Sequence, residues 1–356
     1  TENNAFNAQN ANKASLIQTM GGGNTVIGRT QANDVVVDGQ NNTYFPDNLT
    51  INFSAVSSID NPKGTPLITD SDGDVTAMSW IGRAGDLGNT YKGSVVTIAD
   101  IQWLDNMQFD AIKAAHLAHG VVVIRDQKMT PAQQIAFSRR FGPLAIHVLQ
   151  DQLLEGHPEI LLVSNKTKDG KYVGLPDAGR YWHTDQSYEQ QPALGSFLYA
   201  KEIPANGSGD TLFCDMAAAY EALLPDMKKR LEGLWGMHIY NHSHNNFSLS
   251  NEQRDRLPGT RHPLVRTHPE TGRKAVYLGG KILKYVIDMD ARSSADLLAE
   301  LYKHCTSDAF VYCHKWRAGD VVFWDNRCTM HFAQPYDDKN FIRHMHRTTV
   351  QGDVPF

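Results

Sequence analysis

The sequence predicts a mainly β chain, an antiparallel sandwich or barrel with flanking helices, and three observations carry that reading. Beyond residue 93, many short β-branched or aromatic runs are separated by turn residues. Few helical patterns lie between them to serve as crossovers for parallel strands. The first part of the chain differs in composition: only seven charged side chains fall in the first sixty residues, and asparagine crowds into AFNAQNAN, GQNNTYFPDN and TINFS. Asparagine favours turns and caps over long regular elements. Residues 1–90 therefore read as an Asn-rich N-terminal extension, either short strands (TVIGRT, DVVVDG, LTINFSAV) or a partly mobile arm, and residues 91–356 as one domain.

Within that domain the elements follow in order. A helix is predicted from about Leu104 to His119, then a β-branched strand from Val121 to Arg125. Thr130-Pro131 supplies a cap and a first-turn proline for the next helix, which Gly142-Pro143 closes. Short strands are predicted at Ile160 to Val163, Ser196 to Ala200, Val276 to Gly279, Asp320 to Trp324 and Ile342 to Val350. Helices are predicted near Ala217 to Leu224 and Ser294 to His304.

Composition narrows the function classes. With 41% hydrophobic and 21% charged residues in 356, the chain has the make-up of a soluble globule, which excludes wholesale disorder, collagen and coiled coil. Thirty-four basic against 39 acidic side chains leave a net charge of −5, so no global basic field exists to hold nucleic acid. No run approaches the roughly 18 apolar residues of a membrane span. The opening TENNAFNAQNANKAS lacks the layout of a secretory signal, which makes the cytoplasm the expected location. Cys214, Cys305, Cys313 and Cys328 form no CxxC pair and read as buried or incidental thiols rather than a zinc knuckle or disulfide scaffold.

Two patterns in the extension carry little. Asp70-Ser71-Asp72-Gly73-Asp74 resembles the start of a calcium loop, but Ile81 stands where the bidentate glutamate belongs, so a polar turn is favoured. The sequons at Asn48 and Asn52 are expected by chance in asparagine-rich sequence.

The chemistry begins at Tyr181-Trp182-His183-Thr184-Asp185. On an extended strand alternate side chains share a face, so His183 and Asp185 converge. One imidazole and one carboxylate need a second imidazole to complete the facial triad of a non-haem Fe(II) oxygenase. Taken singly, HxD is more often an ordinary hydrogen-bonded pair. The run WDNRCTMH supplies a candidate partner in His331, and Arg343 follows twelve residues later. An oxygenase that uses 2-oxoglutarate needs a permanently charged, bidentate guanidinium for the far carboxylate, which Arg343 provides. By period two, Arg347 lies on the same face of FIRHMHRTTV. Two buried cations call for two anions: one is 2-oxoglutarate, the other an acidic group on a substrate. The alternative for Arg347 is a structural ion pair with a nearby carboxylate.

From about Gly93 to Phe356 these residues, with VVVIRDQKMTPAQQ, FSRRFGPLAIH, GSGDTLFCDMAAAYEAL, HPLVRTHPETGRKAVYLGG, KWRAGDVVFWDNRCTMHF and RHMHRTTVQGD, give a collinear resemblance to the taurine and phenoxyacetate dioxygenase family. FCDMAAAYEAL, YLGG and DNRCTMH look closer to its phenoxyalkanoate branch. The resemblance implies a double-stranded β-helix, or jelly roll, and an enzyme that uses Fe(II), 2-oxoglutarate and O2 and releases succinate and CO2. It makes His183, Asp185 and His331 the metal ligands, Thr211 and Arg343 the 2-oxoglutarate contacts, and His147 and Arg347 a clamp on the substrate's acidic head. It also implies a homo-oligomer. Gln150 and DAGRYW depart from the segments that serve taurine, which disfavours that substrate.

The implied outcome is hydroxylation of a small anionic organic molecule, first of all an aryloxyalkanoate-like carboxylate. If the hydroxylated carbon bears an ether oxygen, the product collapses and that bond breaks. A sulfonate or alkyl-sulfate dioxygenase and a natural-product tailoring oxygenase are the nearest alternatives. From another class, the chain could be a non-catalytic metal-binding sensor of small molecules, which would have no need of Thr211 and Arg343. His238, His242 and His244 read as a polar lid rather than a second metal site, and Trp316, Phe323, Trp324 and Phe332 as core. Met330 and Trp182 should point away from the ligands beside them.

Overall fold

A computed structural model describes residues 101, 104, 106, 108–240 and 259–356 in full, and the backbone of residue 107 and of short strands between 17 and 96. The acidic run preceding Asp74, the sequon residue Asn48, and His242 and His244 lie outside the described residues. The chain divides into two units, Thr1–Asn61 with Thr69–Met78, and Pro62–Ile68 with Ser79–Phe356. In the first, Ile17–Met20, Asn24–Ile27, Val35–Val37 and Thr43–Tyr44 form an antiparallel meander, and Ile51–Asn52 pairs with Asp74–Val75.

The second unit is mainly β with flanking helices. Its large sheet runs in the order Leu153–Leu154, His157–Ser164, His344–Gln351, Ala193–Glu202, Val321–Asp325, Val121–Ile124 and Ser94–Val96, with the last pair parallel. Strand alternation gives the sheet two different faces. On one, Phe197 stands opposite Phe323 with the rings stacked at 3.8 Å, and Phe137, Phe141 and His116 close over them. These come from the helices Asn106–His119 and Pro131–Arg139 and the turn after them.

The opposite face presents Val121, Val123, Val163, Leu198, Val322, Trp324 and Met345, which pack in one cluster with Phe213 of a smaller sheet. That sheet has the order Val311–His314, Thr211–Asp215, Thr329–Ala333, and a single antiparallel bridge joins His331 to His183. A third sheet holds Trp235–His238 between Thr260–Pro263 and Leu283–Val286.

The helix starts follow their caps. Thr130 accepts the amide of Gln133 while the Gln133 side chain accepts the amide of Thr130, a reciprocal capping box ahead of Pro131. Asp290 caps Ala291–Cys305, which therefore begins three residues ahead of the expected Ser294 and buries Leu297, Leu298, Leu301 and Cys305. Two expectations are corrected. The strand expected at Val276 to Gly279 is Lys274–Val276, because Gly280, at φ +62°, turns the chain into the short 3-10 segment Gly280–Ile282. Residues 181–185 are not a continuous strand: His183 sits in the isolated bridge and Asp185 begins a turn through Gln186 at φ +54°. Among the described residues no helix is long and apolar enough to cross a membrane.

Candidate active site

His183, Asp185 and His331 converge although strand alternation does not place them. The bridge exchanges two backbone hydrogen bonds between His183 and His331, at 3.0 and 2.8 Å, so the two imidazoles lie together with ring centroids 4.1 Å apart. Asp185 is brought in by Asn326, whose Oδ1 accepts the Asp185 amide at 3.2 Å and whose carbonyl accepts the Thr184 hydroxyl at 2.8 Å. His183 Nε2 is then 3.8 Å and His331 Nε2 3.9 Å from Asp185 Oδ1. One ligand atom from each residue lies within 4.8 Å of the others, and all three side chains are buried.

The donor set suits a divalent iron. His183 Nδ1 is 2.7 Å from the carbonyl of Tyr181, which can only accept, so Nδ1 carries the proton and Nε2 keeps its lone pair toward the centre. Burial drives the pKa of His183 down, and burial together with the neighbouring His183 ring drives that of His331 well below the ordinary range; both rings are neutral, as a metal ligand must be. Burial works against ionising Asp185, but the Arg347 guanidinium, the two imidazoles and the Ser196 hydroxyl outweigh it and hold the carboxyl far below the usual range. Two neutral imidazoles and one carboxylate, with no fourth protein ligand in the cluster among the described residues, would leave coordination positions open.

Arg343 and Thr211 meet around Trp316. The Thr211 hydroxyl accepts the indole N–H of Trp316 at 3.0 Å, which leaves its own proton to donate elsewhere. The Arg343 guanidinium lies 5.7 Å from the Trp316 ring, is almost fully buried, and its Nη2 has no hydrogen-bond partner among the described residues. Burial, reinforced by Arg180, lowers its pKa to about 10, against the pull of Tyr336 and Asp210. A buried cation with an unmet donor is a site made for an anion.

Arg347 and His147 line one cavity with His183 and Asp185. Tyr181, Tyr188, Tyr240 and Ile282 contribute to its wall, and it encloses about 540 Å3 including its open mouth. Arg347 Nη1 donates to Asp185 Oδ1 at 3.1 Å, so the structural ion pair weighed as its alternative is present; its Nε is buried without a partner among the described residues. The Tyr188 and Tyr240 rings, 4.5 Å apart, pack with Ile282, Val148 and Leu149 into an apolar patch.

Other singled-out residues fall elsewhere. Met330 is in a separate core with Trp182 against it, so both point away from the ligands. Phe323 and Trp324 are core, and Trp316 is core with the additional task of supporting Thr211. All four cysteines are free; Cys214 and Cys305 are buried. His268, Asp325 and Cys328 also cluster at ligating distance, but Arg327 donates Nε to Asp325 Oδ1 and Nη2 to Oδ2 at 2.8 and 2.7 Å. The guanidinium already occupies the cation's place, so this is a buried ion pair. Sequence reasoning missed Ser196, Asn326 and the tyrosine wall. Ser196 was findable, since period two from Leu198 turns it inward; the tyrosines carried no local signal.

Three comparisons bear on this geometry. The profile of the family described as taurine catabolism dioxygenase TauD, TfdA family matches residues 84–349. An alpha-ketoglutarate-dependent 2,4-dichlorophenoxyacetate dioxygenase of Cupriavidus pinatubonensis is 40% identical, over 66% of this chain and 85% of its own. A pentalenolactone F synthase of Streptomyces arenae is 34% identical over 66% of this chain and 83% of its own. A crystal structure of a taurine dioxygenase from Burkholderia xenovorans superposes with a TM-score of 0.63 at 35% identity, covering 75% of this chain and 90% of that one.

Proposed function

Because the chain belongs to the TauD/TfdA family and is thus an Fe(II)- and 2-oxoglutarate-dependent dioxygenase, we propose that it hydroxylates a small organic anion, an aryloxyalkanoate-like carboxylate first of all. The observation that carries this reading is one cavity lined by His183 and Asp185 of the His183–Asp185–His331 cluster, by Arg347, and by Tyr188, Tyr240 and Ile282 of the apolar patch. We read the two packed sheets as a double-stranded β-helix and residues 91–356 as the oxygenase domain.

In this reading His183, Asp185 and His331 hold the iron, which when bound supplies the oxygen activation that couples decarboxylation of 2-oxoglutarate to oxidation of a substrate C–H bond. Arg343 and Thr211 receive the far carboxylate of 2-oxoglutarate: the unmet Nη2 donor and the free hydroxyl proton support that assignment. Arg347 and His147 orient the substrate's acid group. Arg347 has donors beyond the one it gives Asp185, so it can serve both. The paired Tyr188 and Tyr240 rings offer an aryl body an edge or face to pack against and keep water from the reacting carbon. The 40% identical relative is named for a dichlorophenoxyacetate, which supports the aryloxy choice; the relatives named for taurine and pentalenolactone F make sulfonates and natural-product acids the other compounds to try.

The test is a panel of aryloxyalkanoates, sulfonates, alkyl sulfates and terpenoid acids, scored by succinate formed in step with substrate consumed. For the compound that turns over, Arg347→Ala should raise substrate KM far more than 2-oxoglutarate KM. Equal effects on both would remove Arg347 from the substrate clamp, and a panel in which only neutral compounds react would remove the anion.

A further inference from the structure

We propose that Asn165 is a positioning residue for co-substrate binding, a clasp that sets where Arg343 carries its guanidinium; this rests on the reading of Arg343 given above. Asn165 is 5% exposed and follows the strand His157–Ser164. Its Oδ1 accepts the backbone N–H of Arg343 at 2.9 Å. Its Nδ2 donates to the carbonyls of Asp338 and Phe341 at 2.9 and 2.8 Å. The partners fix the orientation of the amide, since an N–H must meet the oxygen and two carbonyls must meet the nitrogen. Both amide protons are used, and the Asn165 backbone N–H points at the Arg343 carbonyl, 3.4 Å away.

The clasp falls where the chain needs one. Thr329–Ala333 is the strand that bears His331, and residues 334–343 must cross to His344–Gln351 without regular structure beyond turns. Arg343 is the last residue of that crossing. Its guanidinium has an unmet Nη2, lies over Trp316, and touches the approach of Gly209, where a Cβ would stand 3.4 Å from Arg343 Cδ. The side chain is buried with its Nη2 unmet, and the backbone that carries it is the one Asn165 holds at Asp338, Phe341 and Arg343. Arg180 adds a bond to Asp338 Oδ2 at 2.8 Å from the segment that lines the cavity beside His183.

A group acting through Arg343 should matter only to ligands with a far carboxylate. The experiment titrates anaerobic Fe(II)-loaded protein with 2-oxoglutarate and, separately, with 2-oxobutyrate, which shares the 2-oxo acid head and lacks the second carboxylate; binding is read from the visible charge-transfer band. Losing three hydrogen bonds at one backbone segment, Asn165→Ala should weaken 2-oxoglutarate about tenfold or more while leaving 2-oxobutyrate within about twofold. Asn165→Asp, which keeps an acceptor for Arg343 but faces two carbonyls with a carboxylate, should do at least as much. If the alanine variant does not yield folded protein by circular dichroism, Asn165→Ser carries the same comparison. An equal loss for both ligands would reduce Asn165 to a general structural part and overturn the proposal. Arg343→Met is the control: if it weakens 2-oxoglutarate and the Asn165 variants do not, the clasp is wrong and the Arg343 assignment stands. If Arg343→Met itself leaves 2-oxoglutarate binding unchanged, both fall together.

Discussion

The Ser196 hydroxyl donates to Oδ2 of Asp185 across 2.7 Å, while Oδ1 of the same carboxylate faces the Nε2 atoms of His183 and His331 at 3.8 and 3.9 Å. Ser196 ties down one oxygen, and the other, which also accepts Arg347 Nη1 at 3.1 Å, is turned toward the imidazoles. A monodentate ligand needs that division, because a carboxylate free to rotate would offer either oxygen or both.

Ser196→Ala should therefore weaken metal binding as well as the fold. Loss of an outer-shell partner of a ligating carboxylate typically costs about 10- to 100-fold in metal affinity, and a hydrogen bond to a charged group is worth about 1.5–3 kcal/mol of stability. Mn(II) titration by calorimetry alongside a thermal melt separates the two. Unchanged affinity would mean that Asn326 Nδ2, 3.5 Å from Oδ2, suffices alone.

Gly280→Ala should damage the site from outside it. At φ +62° an added Cβ would collide with the Trp182 carbonyl oxygen and stand 3.1 Å from His183 Cβ. Backbone cannot yield as a flexible side chain does, and strain with overpacking should cost about 2–5 kcal/mol. The expected readout is a large fall in Tm accompanied by weaker Mn(II) binding, since relief of the clash pushes on the residue preceding His183. A variant that melts like the parent would show that the segment gives way freely.

Acid should destabilise the metal-free protein well above the carboxylate range. Burial lowers His116, His262 and His346 to about 4 and His238 to about 3. Their folded pKa values lie below the unfolded value of about 6.5, so the unfolded chain binds more protons between those limits. The stabilisation is complete above 6.5 and is lost as pH falls toward 4, by up to about 1.4 kcal/mol per pH unit for each histidine. Asp215 and Glu189, raised chiefly by burial, oppose this only near the carboxylate range. Urea midpoints at pH 7, 5.5 and 4.5 should decline in that order with little change in slope. A midpoint flat from 6.5 to 4.5 would contradict the buried, neutral state of these rings.

Local signals explain what was legible. The Thr130-Pro131 start, the strand Val121–Ile124 and the strand His344–Gln351 follow from capping, β-branching and alternation, all properties of neighbouring residues. Alternation also put Arg347 and Met345 on one side of their strand, and both face inward. The same rule failed at residues 181–185: His183 and Asp185 converge there through a bridge to His331 and a hydrogen bond from Asn326, over 140 residues away in sequence.

Short motifs and periodicity, written in adjacent positions, carried the candidate residues, the mainly β class and the resemblance to a dioxygenase family. The folded chain alone shows that Ser196 bonds Asp185, that Asn165 bonds the backbone of Arg343, and that Tyr188 and Tyr240 pack in one wall. Each of these is a contact between distant segments, and no spacing along a chain encodes which side chain a folded sheet will bring within three ångströms of another.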